Sequence, residues 1–353
     1  MDILSIPLID SATHGSGDHY YAKKQAALVA VSLVVLFLGT AIDHRDLVEM
    51  SPWLYGLNGV LLVLVLLVGR TVGGSTRWLS LGFFDLQPSE TAKIVMILFC
   101  AKILGRMEEP PNGIFALGAY YAWAVVPMLL IMRQPDLGTA MVLVALCTGA
   151  LYFSGTSGKT IAKLALAGVL AIAIVLCLHF YAGMPLPLED YQLKRLLTLF
   201  NPNADPLGTG YQVLQSKIAI GSGSVWGKGL GQGTQNRLDF IPEQHTDFIF
   251  SVVGEELGFV RGLGVLALYF LICYRCLIAA VTSTDRVGTI VAGGVLSMFV
   301  FQLAVNIGMT MGIMPVTGIP LPFLSHGGTA LLTNSFAVGM VLNVGWQKHK
   351  ILF

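Results

Sequence analysis

Charge is what this chain lacks. Asp, Glu, Lys and Arg together make up 12% of its 353 residues and cancel to a net +1, too weak and too balanced a field to hold a nucleic acid. Cysteine supplies no metal or disulfide framework. Cys100, Cys147, Cys177, Cys273 and Cys276 fall in apolar segments, and the CxxC of Cys273 and Cys276 has no His or Cys neighbours. All five therefore read as small buried hydrophobes. Met1 to Thr13 lacks a basic n-region and a small-residue cleavage site and carries Asp2 and Asp10, so it does not read as a cleavable leader. No soluble-looking block stands apart, which makes residues 1–353 a single integral membrane domain.

Apolar residues dominate instead, at 55% of the chain, the composition of an all-α polytopic membrane protein. A helix needs roughly 17–25 apolar residues to cross a bilayer core. Nine such runs lie at about 26–42, 53–69, 88–104, 113–132, 137–154, 160–181, 247–281, 286–312 and 328–346. The run 247–281 is too long for one perpendicular span, so it is either tilted or embedded in protein at its start. Loop charges set the orientation. Arg45, Lys102, Arg106, Lys159, Lys163, Arg275, Arg286, Lys348 and Lys350 fall on one side, and Lys23, Lys24, Arg70, Arg77 and Arg133 on the other. This puts the C-terminus in the cytoplasm, the N-terminus outside and a large loop of 182–246 outside. Met1–Thr13 is too short and too acidic to add a tenth span.

A loop of that length without regular structure is usually functional. Leu193, Leu196, Leu197 and Phe200 beside Lys194 and Arg195 predict a short interfacial helix. Glycines at 208, 210, 221, 223, 227, 229, 231 and 233 predict tight turns, so the loop reads as an ordered lid or substrate groove.

Polar residues at the span ends carry the chemistry. In Gln87–Lys93, Pro88 suits a first helical turn, and Glu90 and Lys93 share a face. Charges in a span face protein or water, so the two are either a structural ion pair or the lining of a cavity. Asp136 caps the helix that follows it. Gly254, Gly258 and Gly262 recur every four residues, a small-residue ridge for a close helix neighbour inside the protein or on a partner. On one continuous helix Gly254 and Gly258 would lie within about 20° of Asp247. Met314–Gly328 is a Pro- and Gly-interrupted segment, either a bare re-entrant loop or the lining of a substrate cavity. His245 makes a local hydrogen bond or assists chemistry. Asp247, where the polar loop meets the apolar helix, can cap that helix or serve as a base held by the same placement.

Together QPSETAK at 87–93, QPDLGTA at 134–140, DPLGTGYQ at 205–212, QSKIAIGSG at 215–223, GTQNRLDFIPEQHTDFIFSVVGEELG at 233–258 and GIMPVTGIPLPFLSHGG at 312–328 resemble the SEDS family of peptidoglycan glycosyltransferases. QSKIAIGSG and the L-x-F-I-P-E sequence look like its RodA, or elongation, branch. The resemblance implies an enzyme of the bacterial cytoplasmic membrane. It would polymerise lipid II on the outer face into β-1,4 glycan, release undecaprenyl pyrophosphate, and work with a class B penicillin-binding protein in the elongation machinery. It implies Asp247 as the catalytic residue, Glu90 and Lys93 as the family's membrane ion pair, and Arg195, Gln215 and Lys217 as loop motif positions. These last five, with His245, Ser325 and His326 from beside Asp247 and from the interrupted segment, are the candidate substrate-binding residues, and a divalent cation, Mg or Mn, is a candidate aid to the leaving pyrophosphate. Family members usually have ten spans; here only Met1–Thr13 stands at the first. His326 stands where Tyr is common, and Arg261 where Gly is common. The competing readings are a lipid II flippase and a non-catalytic scaffold for the penicillin-binding protein.

Overall fold

The computed structural model describes all residues except 14–18, 73–74, 81, 83, 183–189, 202–204, 206–207, 239 and 351–353. Its helices run α1 Asp2–Ala12, α2 Tyr20–Ala41, α3 His44–Val68, α4 Pro88–Gly105, α5 Ile114–Met132, α6 Leu137–Phe153 and α7 Gly158–Ala182. Then come α8 Asp190–Phe200, α9 Thr209–Ser222, α10 Thr234–Arg237, α11 Ile249–Val252, α12 Gly258–Thr282, α13 Arg286–Thr310 and α14 Gly328–Lys350. All nine apolar runs are helical, but among the described residues seven helices are long and apolar enough to cross a membrane, not nine. The other two are α4, whose 18 residues include Glu90, Lys93 and Lys102, and α6, which at 17 residues is short.

The bundle is built around α4, α13 and α14. In the spans of α13 and α14, 61% and 67% of the residues are buried, against 22% in α2 and α3, whose outer faces carry exposed apolar side chains such as Phe37 and Leu67. Helix α14 lies directly on α2. A Cβ on Gly339 would come within 2.9 Å of the Gly39 Cα, so this glycine pair is what lets the two backbones touch. At one end of the bundle Arg45 pairs with Asp285, Lys102 and Arg106 share Glu49, and Arg286 donates to the Met107, Glu108 and Ser154 carbonyls. The sequence assigns these basic residues to one side, and they do meet. At the other end Arg70 approaches Asp85, and Arg77 reaches Asp136.

One element departs from an all-helical reading. Between α3 and α4 a small antiparallel sheet pairs β1 (Arg70–Val72) with β2 (Ser75–Ser80), and β2 with β3 (Asp85–Leu86). The segment is too short and too polar to register as anything but a loop in a search for spans. The predicted short helix of the large loop is α8, and α9 and α10 accompany it. Lys194, Leu196 and Phe200, three of the side chains on which that expectation rested, lie outside the described side chains. Cys100, Cys147 and Cys276 are buried as expected, whereas Cys177 is exposed and Cys273 half-buried, since they face outward from peripheral helices.

The long run beginning at 247 is interrupted. α11 passes into a wider π turn, Val253–Leu257, before α12 starts at Gly258, whose φ of 74° few residues but glycine adopt. Glu255 and Glu256, fully buried in that turn, are the reason. Glu255 accepts from Lys228 Nζ at 2.7 Å, Thr234 Oγ1 at 3.2 Å, and the Gln235 and Asn236 amides at 3.0 and 3.3 Å. Glu256 accepts from Ser11 Oγ, Asn236 Nδ2 and the Gly231 amide. A buried carboxylate is tolerated only when paired and hydrogen-bonded, and these two gather the loop and α1 to meet that demand. The glycine ridge is used differently from expectation. Gly254 receives Ile220 of α9, Gly258 receives the Trp226–Gly227 backbone, and nothing stands within 4 Å of a Cβ on Gly262. Glu255→Ala would leave the buried Asn236 amide and the partly buried Lys228 ammonium unanswered, at a cost of about 1–3 kcal/mol, so the variant should show a lowered thermal transition in detergent, followed by intrinsic fluorescence.

Candidate active site

Asp247 is not a helix cap. The N-cap of α11 is Phe248, and no side chain caps that helix. A tight turn presents Asp247 instead. Glu243, at φ 54°, turns its carbonyl to accept from the Thr246 amide at 3.2 Å, Asp247 at 3.0 Å and Phe248 at 3.4 Å. Phe248 then plugs into a small apolar cluster with Val213, Ala219, Ile241, Met309 and Val316, anchoring the turn from below.

The backbone on either side is pinned by the segment before α14. Asn306 on α13 donates to the Asp247 carbonyl at 2.9 Å and the Ile319 carbonyl at 2.7 Å, binding the turn to that segment. Ser325 donates to the Thr246 carbonyl and accepts from the Leu321 amide, and the His326 amide donates to the His245 carbonyl at 2.8 Å. Gly318, at φ 74°, lies so close that a Cβ there would meet the Asp247 carboxylate at 3.1 Å. The interrupted segment is therefore the wall of the site and not a bare loop.

Electrostatics tune the carboxyl. Burial pushes the Asp247 pKa up to about 6, and the negative charge of Glu243 adds to the rise, while Arg195, Arg77 and a hydrogen bond from Thr246 oppose it. The group stays half-buried, so it can both hold a proton and meet a substrate. Burial pushes His245 down, against the pull of Glu243. Burial, His245 and Lys24 bring His326 down to about 4, so that ring is neutral at ordinary pH.

Arg195 on α8 and Lys217 on α9 line one small cavity with Val213, Gly312 and Met314. Gly312 leaves room for the Lys217 stem, since a Cβ there would sit 2.3 Å from Cε. Gln215 does not share that cavity; two residues apart on a helix, it and Lys217 point to opposite sides. Glu90 and Lys93 form a fully buried pair at 2.6 Å in α4, with no hydrogen bond to Asp247, and neither lines a described cavity. Their neighbour Ser89 reaches Asp136 at 3.4 Å. Asp136 caps α6 through the Thr139 amide at 3.0 Å and stands 3.9 Å from Arg77. Arg77 and Asn306, which the sequence reading did not single out, belong to the site. The signal for Asn306 was available: a buried amide in the last turns of a span needs a hydrogen-bonding reason.

Fold and site together define a polytopic membrane protein with an ionisable carboxyl at the junction of loop and bundle, in the field of Arg195 and Arg77. The family profile of the FtsW/RodA/SpoVE cell cycle proteins matches residues 2–350, and the chain belongs to that family, the SEDS proteins. Among curated relatives, the peptidoglycan glycosyltransferase MrdB of Escherichia coli K12 is 40% identical over 322 residues, covering 91% of this chain and 85% of its own. The stage V sporulation protein E of Bacillus subtilis is 37% identical over 329 residues, with 92% and 87% covered. Among solved structures, a chain of a peptidoglycan synthase complex superimposes with a TM-score of 0.80 at 29% identity, covering 99% of this chain and 97% of its own. Thermus thermophilus RodA gives 0.71 at 27% identity, covering 99% and 94%.

Glu243→Gln removes a negative neighbour and should bring the Asp247 pKa below about 6, and Arg195→Gln should raise it. Carboxyl-labelled aspartate followed by NMR titration in detergent reads both shifts.

Proposed function

We propose that Asp247 is the general base of glycan polymerisation at the outer face of the cytoplasmic membrane. The chain is a peptidoglycan glycosyltransferase of the elongation type, and the remaining question is how this corner does the work. The observation that carries the reading is the Asp247 carboxyl itself, backbone-pinned, half-buried and raised to about 6 by burial and Glu243 against the pull of Arg195 and Arg77.

The chemistry follows from those properties. The 4-hydroxyl of the acceptor sugar is a weak nucleophile, and a base within hydrogen-bond reach takes its proton as the oxygen attacks the anomeric carbon. Attack opposite an α-linked pyrophosphate breaks that bond and leaves a β-1,4 linkage, with undecaprenyl pyrophosphate departing. Arg195 and Lys217 offer the leaving diphosphate two positive charges. A raised pKa suits the role, because a base poised near neutrality releases its proton readily after each transfer. As for a divalent cation, no group of three or more His, Cys, Asp or Glu that could hold a metal stands together among the described residues. No step here runs through a metal cation.

The wider setting is proposed on the same basis. All nine apolar runs would lie in the bilayer, α4 and α6 included, sheltered by their more apolar neighbours, with loop 182–246 and the β-sheet outside. Lipid II serves as donor and acceptor, and its polyprenyl tails lie against the bundle. A class B penicillin-binding protein cross-links the product; the similar chain from the solved peptidoglycan synthase complex supports such a partner, since that complex coordinates polymerisation and crosslinking.

Asp247→Asn should insert and fold normally yet make no glycan from purified lipid II; full polymerisation by that variant would sink the assignment. Working in detergent, where nothing crosses a bilayer, separates polymerisation from lipid flipping. Because the ionised form is the active one, the rate should be halved near pH 6 and about tenfold lower near pH 5. Asn306→Ala, which frees the Asp247 carbonyl, should lower kcat by about 10- to 100-fold while leaving the amount of folded protein within a factor of about two, judged by size-exclusion chromatography.

A further inference from the structure

Beside Asp247 three rings stand together: Tyr21 lies 5.2 Å from His245 and 5.4 Å from His326, and the two imidazoles are 5.9 Å apart, centroid to centroid. What sets this cluster apart is a hydrogen-bond chain running into it from α1. The Ser5 hydroxyl donates to the Asp2 carbonyl at 2.6 Å, and a carbonyl can only accept, so the single hydroxyl proton is committed. Toward Gln25, 3.0 Å away, Ser5 Oγ can then only accept, which requires the NH2 end of the Gln25 amide to face it. Gln25 is fully buried, so protein groups must answer both ends of its amide. Its carbonyl oxygen therefore faces His326 Nδ1 at 2.9 Å, and that nitrogen must carry the proton. A neutral imidazole protonated on Nδ1 has a lone pair on Nε2, and Nε2 has no hydrogen-bond partner among the described residues.

We propose that His326 orients the incoming saccharide by accepting, through Nε2, a hydrogen bond from a sugar hydroxyl or N-acetyl N–H, and that the Asp2–Ser5–Gln25 chain makes it an acceptor by fixing its tautomer. The proposal rests on the glycosyl-transfer reading of this site. Geometry sets the ring where it can serve. The His326 amide is bonded to the His245 carbonyl, and the Ser325 hydroxyl to that of Thr246, so Nε2 belongs to the same rigid corner as the base. A sugar lying against Tyr21 and the two imidazoles would present its polar edge to Nε2 and its acceptor hydroxyl toward Asp247. The short helix α1 thereby acquires a task at the reaction centre, 321 positions along the chain from Ser5.

The test uses the full chain in detergent, uniformly labelled with ¹⁵N-histidine. In the wild type, His326 should show the Nδ1–H signature, and purified lipid II should bind. Ser5→Ala removes the acceptor and lets the Gln25 amide turn, so the signature should move to Nε2–H and the Kd for lipid II should rise about tenfold, with kcat changed less than about threefold. His326→Gln, whose amide oxygen reaches the Nε2 position, should retain more affinity than His326→Leu; this pair decides the matter if Ser5→Ala proves unstable. An Nε2–H signature in the wild type, a flipped tautomer with unchanged affinity, or equal binding by the Gln and Leu variants overturns the proposal. Wild-type protein that binds lipid II but makes no glycan would instead overturn the glycosyl-transfer reading, and the tautomer and affinity measurements would still decide this one.

Discussion

Two carboxylates taken out of water, Glu255 and Glu256, are the constraint on which the rest of this structure depends. Burying them would be ruinous without donors, and the donors come from elements far apart in sequence: the 228–236 stretch of the outer loop and Ser11 of α1. The helix that carries them opens into a π turn at that point. The 228–236 stretch of the outer loop is thus tied to the bundle, and the turn bearing Asp247 emerges from it already braced. Internal hydrogen bonds of this kind stabilise little in net terms; their value is that every alternative placement of the loop leaves a charge unanswered.

Within that frame the base is held by its main chain. Asn306, Ser325 and His326 all reach backbone atoms of residues 245–247 or donate from their own. The basicity of the Asp247 side chain answers to burial first, then to the charges of Glu243, Arg195 and Arg77 and to Thr246. Position and basicity are then set by different residues, so one can change without disturbing the other.

Much of this was legible in the residues. The apolar runs announced the helices, Asp136 its capping role, and the change of composition at 247 the place where loop meets bundle, because period, capping chemistry and the cost of charge near lipid are local properties. What was not legible is non-local. The face shared by Asp247, Gly254 and Gly258 exists only on a continuous helix, and the π turn at 253–257 removes it. Nothing near Glu255 says that its partners lie at Lys228 and Thr234, and nothing near Arg77 says that it will stand by Asp136. The strands at 70–86 escaped because a reading tuned to spans treats everything between them as connection.

The bond between Ser11 and Glu256 joins residues 245 positions apart. At a synthesis rate of roughly 5–20 residues per second, α1 waits on the order of 12–50 s for its partner to be made. Throughout that interval α1 has α2 to pack against, through bonds such as Gln25 to Ser5, while Ser11 stays without its carboxylate. The outer corner is therefore among the last parts of the molecule to close, and catalytic competence waits on segments made long after α1.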